Sequence, residues 1–135
     1  MSLETISQGI ATRLLTISGL KVYSTDALPN AINQFPAAII LPGATEYNAM
    51  FSGDANYIFR VLVLISKQDT PSALGKLLDY IELSGVYSIK GAIDGDATLS
   101  GSADDSRVSR NLGLGTTIWG GQTYLSSEFE ILVWK

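Results

Sequence analysis

At 135 residues, 46% hydrophobic and only 16% charged, the chain suits one domain with a sizeable buried core and has less charge than average to cover its outside. Cysteine and histidine are both absent, which removes disulfides, thiolate chemistry, the commonest general base, the usual triads and most zinc sites. A formal charge of −4 opposes the phosphate neutralisation that tight nucleic-acid binding requires, although it leaves room for a neutral or repulsive surface that DNA merely passes.

A mean hydropathy of +0.22 excludes a disordered chain and leaves apolar surface for another protein to cover. The apolar run Val61 to Ile65 falls far short of the about 20 residues a bilayer-crossing helix needs, so no membrane is expected. The start MSLETISQ carries an early glutamate and no basic stretch, so no signal peptide is expected either.

Leu3, Ile6, Ile10, Leu14 and Ile17 recur three or four apart and predict an N-terminal helix with one apolar stripe, capped by Ser2 and stopped by Gly19. Leu20 to Ser24 reads as a short strand. After a loop containing Pro29 and Pro36, Ala38 to Leu41 predicts a buried strand that Pro42 and Gly43 end. Ser52-Gly53-Asp54 makes a hairpin turn ahead of the strongest strand signal in the chain. There Tyr57, Phe59, Val61, Val63 and Ile65 share one face, while Ile58, Leu62 and Leu64 share the other with Arg60. Two apolar faces predict a central strand, covered by a helix on one side and by another subunit on the other.

Thr70 as cap and Pro71 in the first turn open a second helix, whose core stripe is Leu74, Leu77, Leu78 and Ile81 and whose end is Gly85. Ser88 caps one further turn through Ile89, Ala92 and Ile93, stopped by Asp94-Gly95. From Arg107 onward a β-hairpin turns at Gly120-Gly121, setting Trp119 opposite Gln122. That register gathers Val108, Leu112, Leu114, Ile118, Leu125, Phe129, Ile131 and Val133 on one face. It gathers Arg107, Ser109, Asn111, Thr117, Ser126, Glu128 and Glu130 on the other, with Arg110 the exception on the apolar side. Arms of about 12 residues reach about 40 Å, against an expected radius of gyration of about 14 Å, so either Gly113 and Gly115 mark a bulge or the tip projects. The expected fold is a single α/β (α+β) domain over residues 1–135. Its mixed, mostly antiparallel sheet is packed by the N-terminal and central helices and ends in the hairpin.

Reactive constellations are scarce. There is no phosphate-loop motif, and NLGLGTT lies within the hairpin pattern, where it reads as a bulge or strand break. The segment DGDATLSGSADD offers Asp94, Asp96, Thr98, Ser100 and Asp105 as hard oxygen ligands. Leu99 stands where a calcium loop needs glycine and Asp105 where it needs glutamate, so the segment reads as a solvated loop with no metal. The carboxylate pairs Asp94 with Asp96, Asp104 with Asp105, and Glu128 with Glu130 read as solvated or lumen-facing surface rather than an acid–base pair. Trp119 and Trp134 are either rim packing or interface anchors.

The order of these pieces is an N-terminal helix ending in SGLKVYS, then FPAAIILPG, YIFRVLVLIS and PSALGKLLDYIELSG. Ser88, Ile89, Ala92 and Ile93 follow, with an acidic turn, TLSG and a terminal hairpin ending EFEILVW. This order resembles the tail-terminator (tail-completion, minor tail protein) family of long-tailed bacteriophages, and the likeness spans nearly the whole chain. The resemblance implies a non-enzymatic structural protein without cofactors, assembled in the host cytoplasm and placed in the virion at the head-proximal end of the tail. It implies a ring, usually hexameric, that caps the tail tube, stops its growth and offers a docking surface to the head-completion or connector protein, with DNA as passing cargo. Ring contacts are then expected from Ile58, Arg60 and Leu62 and from the hairpin residues Arg107, Arg110, Trp119 and Trp134, with Glu128 and Glu130 lining a phosphate-repelling lumen. The competing readings are a head-completion adaptor, a small Asp/Glu-dependent hydrolase or carbohydrate-binding domain, and a calcium-dependent module built on the 94–105 loop.

Overall fold

The computed structural model of the protein describes residues 2–17, 19–25, 28–30, 32, 34–47, 55–67, 74–82, 85–99, 101, 103 and 105–134. In chain order the elements are α1 (Ser2–Leu14), β1 (Lys21–Tyr23), β2 (Ala37–Tyr47), β3 (Ala55–Lys67), α2 (Leu74–Ile81), α3 (Ile89–Asp94), β4 (Asp105–Trp119) and β5 (Gln122–Trp134). The strands make one mixed sheet in the order β1-β2-β3-β5-β4, parallel only between β1 and β2. The chain is α+β, with the doubly apolar strand β3 at its centre as its two faces require.

All three helices lie on one face. Ile6, Ile10, Leu14 and Ile17 meet Ala38, Ile40, Phe59, Val61, Val63, Phe129, Ile131 and Val133 in the main core, with Ile89, Ala92 and Ile93 beside them. α1 begins at Ser2 itself, and Gly19 leaves its end with φ +80°. Ser88 caps α3, its hydroxyl accepting from the Gly91 amide at 2.9 Å. Arg13 closes the other end, its Nε donating to the Ala92 carbonyl at 2.9 Å. The stripe of α2 differs from expectation: Tyr80 is buried and Ile81 half-buried against the core, while Leu78 is 49% exposed. Tyr80 and Ile81, rather than Leu78, are the described α2 side chains that meet the core. Thr70, Pro71 and the Ser52-Gly53-Asp54 turn lie outside the described residues, as do the side chains of Leu74 and Leu77.

A smaller core forms on the opposite face. Ala37, Ile39, Leu62, Leu64 and Tyr124 are covered by Ile32 and Phe35 of the chain's own 28–36 connection, rather than by another subunit. Trp119 joins them, donating its indole N–H to the Pro29 carbonyl at 2.9 Å. It packs within its own chain.

Two strands run differently from their expected course. β2 continues through Pro42, which pairs with Phe59, and Gly43 and Ala44 form a bulge before the next pair, Thr45↔Tyr57. Proline is tolerated because β1 pairs only with residues 37–39, so Pro42 lies beyond the end of that pairing. Gly43 is required there, since a Cβ would stand 2.7 Å from the Ile58 carbonyl oxygen. The terminal hairpin has the expected turn, with Trp119 opposite Gln122, yet its register shifts between Val108 and Arg110 and again between Asn111 and Leu114. Each shift adds a residue to β4, so Val108 pairs with Ile131. The first bulge turns Arg110 onto the polar face opposite Glu130 and Asn111 onto the face of Phe129, reversing the sides expected for both. Gly113, at φ +89°, makes the second bulge.

Candidate functional site

The helix-free face divides into two halves. Beyond the part that residues 28–36 cover, alternate positions of β3, β5 and β4 form open rows by register: Ile58, Leu132 and Arg107, then Arg60, Glu130 and Arg110. Asn56, Trp134 and Asp105 make the end row. On β3 and β5 strand alternation places these side chains together, each two residues from the next; on β4 the bulge at Ser109 lets Arg110, three residues after Arg107, share their face.

Two of the three arginines on this face are matched by glutamates of the same chain. Arg60 Nη2 donates to Glu128 Oε1, and this hydrogen bond holds the guanidinium pKa above its ordinary value against partial desolvation. Arg110 Nη2 reaches Glu130 Oε2 at 3.3 Å, and Ser109 Oγ donates to Glu130 Oε1 at 2.9 Å. Arg107 stands over the Trp134 ring, 5.7 Å from its centroid. The two glutamates therefore carry no net local charge with their arginines, and repulsion of phosphate by Glu128 and Glu130 has no unbalanced charge behind it.

Of the residues expected to meet a neighbour, Ile58, Arg60, Arg107, Arg110 and Trp134 gather on this open half. Leu62 is only 6% exposed, and Trp119 is held by Pro29, so both already belong to the smaller core. Asn111 and Ser127 were not singled out by sequence reasoning. Asn111 Nδ2 donates to Ser127 Oγ at 2.6 Å and to the Glu128 carbonyl at 3.1 Å, while Ser127 Oγ donates to the Gly113 carbonyl at 2.8 Å. These bonds lock the second bulge and hold Glu128 in place from the opposite side of β5. Gly113 was the sole signal of this arrangement in the sequence.

The acidic segment is organised as a turn. Asp94 pairs with Lys90 at 2.8 Å, Asp96 Oδ1 accepts from the Thr98 amide at 3.1 Å, and Asp105 Oδ1 accepts from the Ser106 amide at 2.9 Å. Leu99, at φ +52°, is turned into the main core. Among the described residues no three Asp or Glu side chains gather as a metal site would require; Ser100 and Asp104 lie outside them. No described helix is long and apolar enough to cross a membrane. No protein-family model matches the chain, and no curated protein matches it.

Proposed function

We propose that the protein is a structural component of a bacteriophage tail: a terminator that assembles as a ring, usually of six, on the head-proximal end of the tail tube, ends its growth and presents a surface to the head. The resemblance in element order supports this reading, and its pieces include regular elements: SGLKVYS contains β1, FPAAIILPG overlaps β2, and YIFRVLVLIS and EFEILVW lie on β3 and β5. The observation that carries it is the half-open sheet. Helices cover one side, the chain's own loop covers half of the other, and the remainder presents Ile58, Leu132, Trp134 and three arginines. Such a mixed surface of aromatic, aliphatic and arginine side chains is the composition of a protein contact. A ring closes through two different patches on each subunit, so one open face supplies half of what it needs.

Negative-stain microscopy of the purified protein, alone and with polymerising tail-tube subunits, tests the proposal. Rings at one tube end and arrested tube length are expected; tubes that neither bind the protein nor stop growing would refute it.

A further inference from the structure

We propose that the open half of the sheet face is covered by a second copy of this chain, which seats the corner between α2 and α3 upon it; this rests on the self-assembling reading above. The two surfaces match in chemistry. On the sheet, Ile58, Leu132 and Trp134 line a shallow apolar hollow at the end of β3 and β5. Three of the chain's four arginines border it. Arg107 has no carboxylate within ion-pair distance among the described residues, and Arg110, 63% exposed, holds Glu130 only at 3.3 Å.

On the helix side, Leu78, Val86 and Tyr87 stand exposed, Val86 by 78%. The Tyr80–Tyr87 ring contact, 6.0 Å between centroids, ties the 85–88 turn to α2. Asp79 and Glu82 flank these apolar groups, both exposed, and no described cation pairs with either carboxylate. The acidic turn after α3 is a poorer match, because Asp94 is already engaged by Lys90. An apolar knob beside carboxylates that no described cation pairs thus answers an apolar hollow beside Arg107, which no described carboxylate pairs, and the loosely held Arg110. The knob and the hollow sit on opposite faces of one sheet, so two copies cannot satisfy each other across a two-fold axis. The contact runs head to tail and yields a closed ring or a filament.

Two charge-reversed variants test the contact, Arg107→Glu with Arg110→Glu and Asp79→Lys with Glu82→Lys, read by sedimentation velocity with circular dichroism as the folding check. Each alone should self-associate at least about tenfold more weakly than the unaltered chain. Mixed in equal amounts they should regain its association, since alternating subunits then meet opposite charges at every contact. Unchanged association of either variant, or a mixture that stays monomeric, overturns the proposed contact while leaving self-assembly intact. An unaltered chain that stays monomeric even at about 1 mM overturns this contact, and one that also forms no ring on tail-tube ends overturns the self-assembling reading with it. Should Arg110→Glu unfold the sheet through loss of its Glu130 partner, Val86→Asp probes the same contact from the exposed knob and is expected to abolish it.

Discussion

Replacing Tyr80 with phenylalanine should stabilise this protein. The Tyr80 ring is 1% exposed, and among the described residues its hydroxyl is the buried side-chain polar atom without a hydrogen-bond partner. A buried hydroxyl stripped of water and left unbonded costs about 1–3 kcal/mol, and phenylalanine removes it while keeping the ring against Tyr87. A gain of about 1–2 kcal/mol corresponds, at about 2.1 cal/mol/K per residue, to a rise in Tm of about 4–7 °C for a chain of this length.

The same hydroxyl has a second signature. Burial, then the neighbouring Tyr87 and Asp79, raise its pKa from 10.0 to about 12. Between those values the unfolded chain has lost the proton while the folded chain keeps it. The associated stability is therefore complete below about pH 10 and drains away as pH climbs towards about 12. At about pH 11 the loss is on the order of 1.4 kcal/mol, one pKa unit, and the phenylalanine variant is spared it. Urea denaturation followed by tryptophan fluorescence at neutral pH and at about pH 11 measures both effects. A variant less stable than the parent at neutral pH, or a difference that does not widen in alkali, would refute the reasoning by showing that the hydroxyl has a partner.

Gly43→Ala should cost about 1–3 kcal/mol, because the new Cβ meets the Ile58 backbone carbonyl, which cannot step aside as a side-chain tip would; urea midpoints check it. Ser88→Ala removes both the cap on Gly91 and the hydroxyl bond to the Glu82 carbonyl, and a loss of about 1–2 kcal/mol is expected in the same assay. A double-mutant cycle on Arg60 and Glu128 should return a coupling below about 1 kcal/mol, since the arginine is half in solvent, and the coupling should shrink further in about 0.5 M salt. Trp119→Phe should destabilise by about 1 kcal/mol or more and loosen residues 28–36, seen as faster amide exchange there, because the Pro29 carbonyl loses its donor.

Much of this architecture is legible in short-range pattern. The stripe from Ile6 to Ile17, the two apolar faces of β3, the Ser88 cap and the Gly120-Gly121 turn each depend on residues within a few positions of one another, and each lies where its period sets it. The candidate surface was legible in part. Ile58, Arg60, Arg107, Glu128 and Glu130 could be assigned to faces, but which arginine meets which glutamate depends on cross-strand register. Arg110 shows the limit: one extra residue at Ser109 moves it to the other face, and nothing in SRVSRN announces that bulge.

Composition and periodicity alone settled that this chain packs helices against a central apolar strand and does so without histidine or cysteine. Tertiary structure decided where exposed apolar surface lies. Ile32 and Phe35 pack with Leu62 and Leu64 and withdraw them, while α2 buries Tyr80 and leaves Leu78 exposed. The β4 bulge at Ser109 then chooses which charges share a face. Burial, register and bulge position are set by what packs opposite a residue, and that neighbour is distant in the chain.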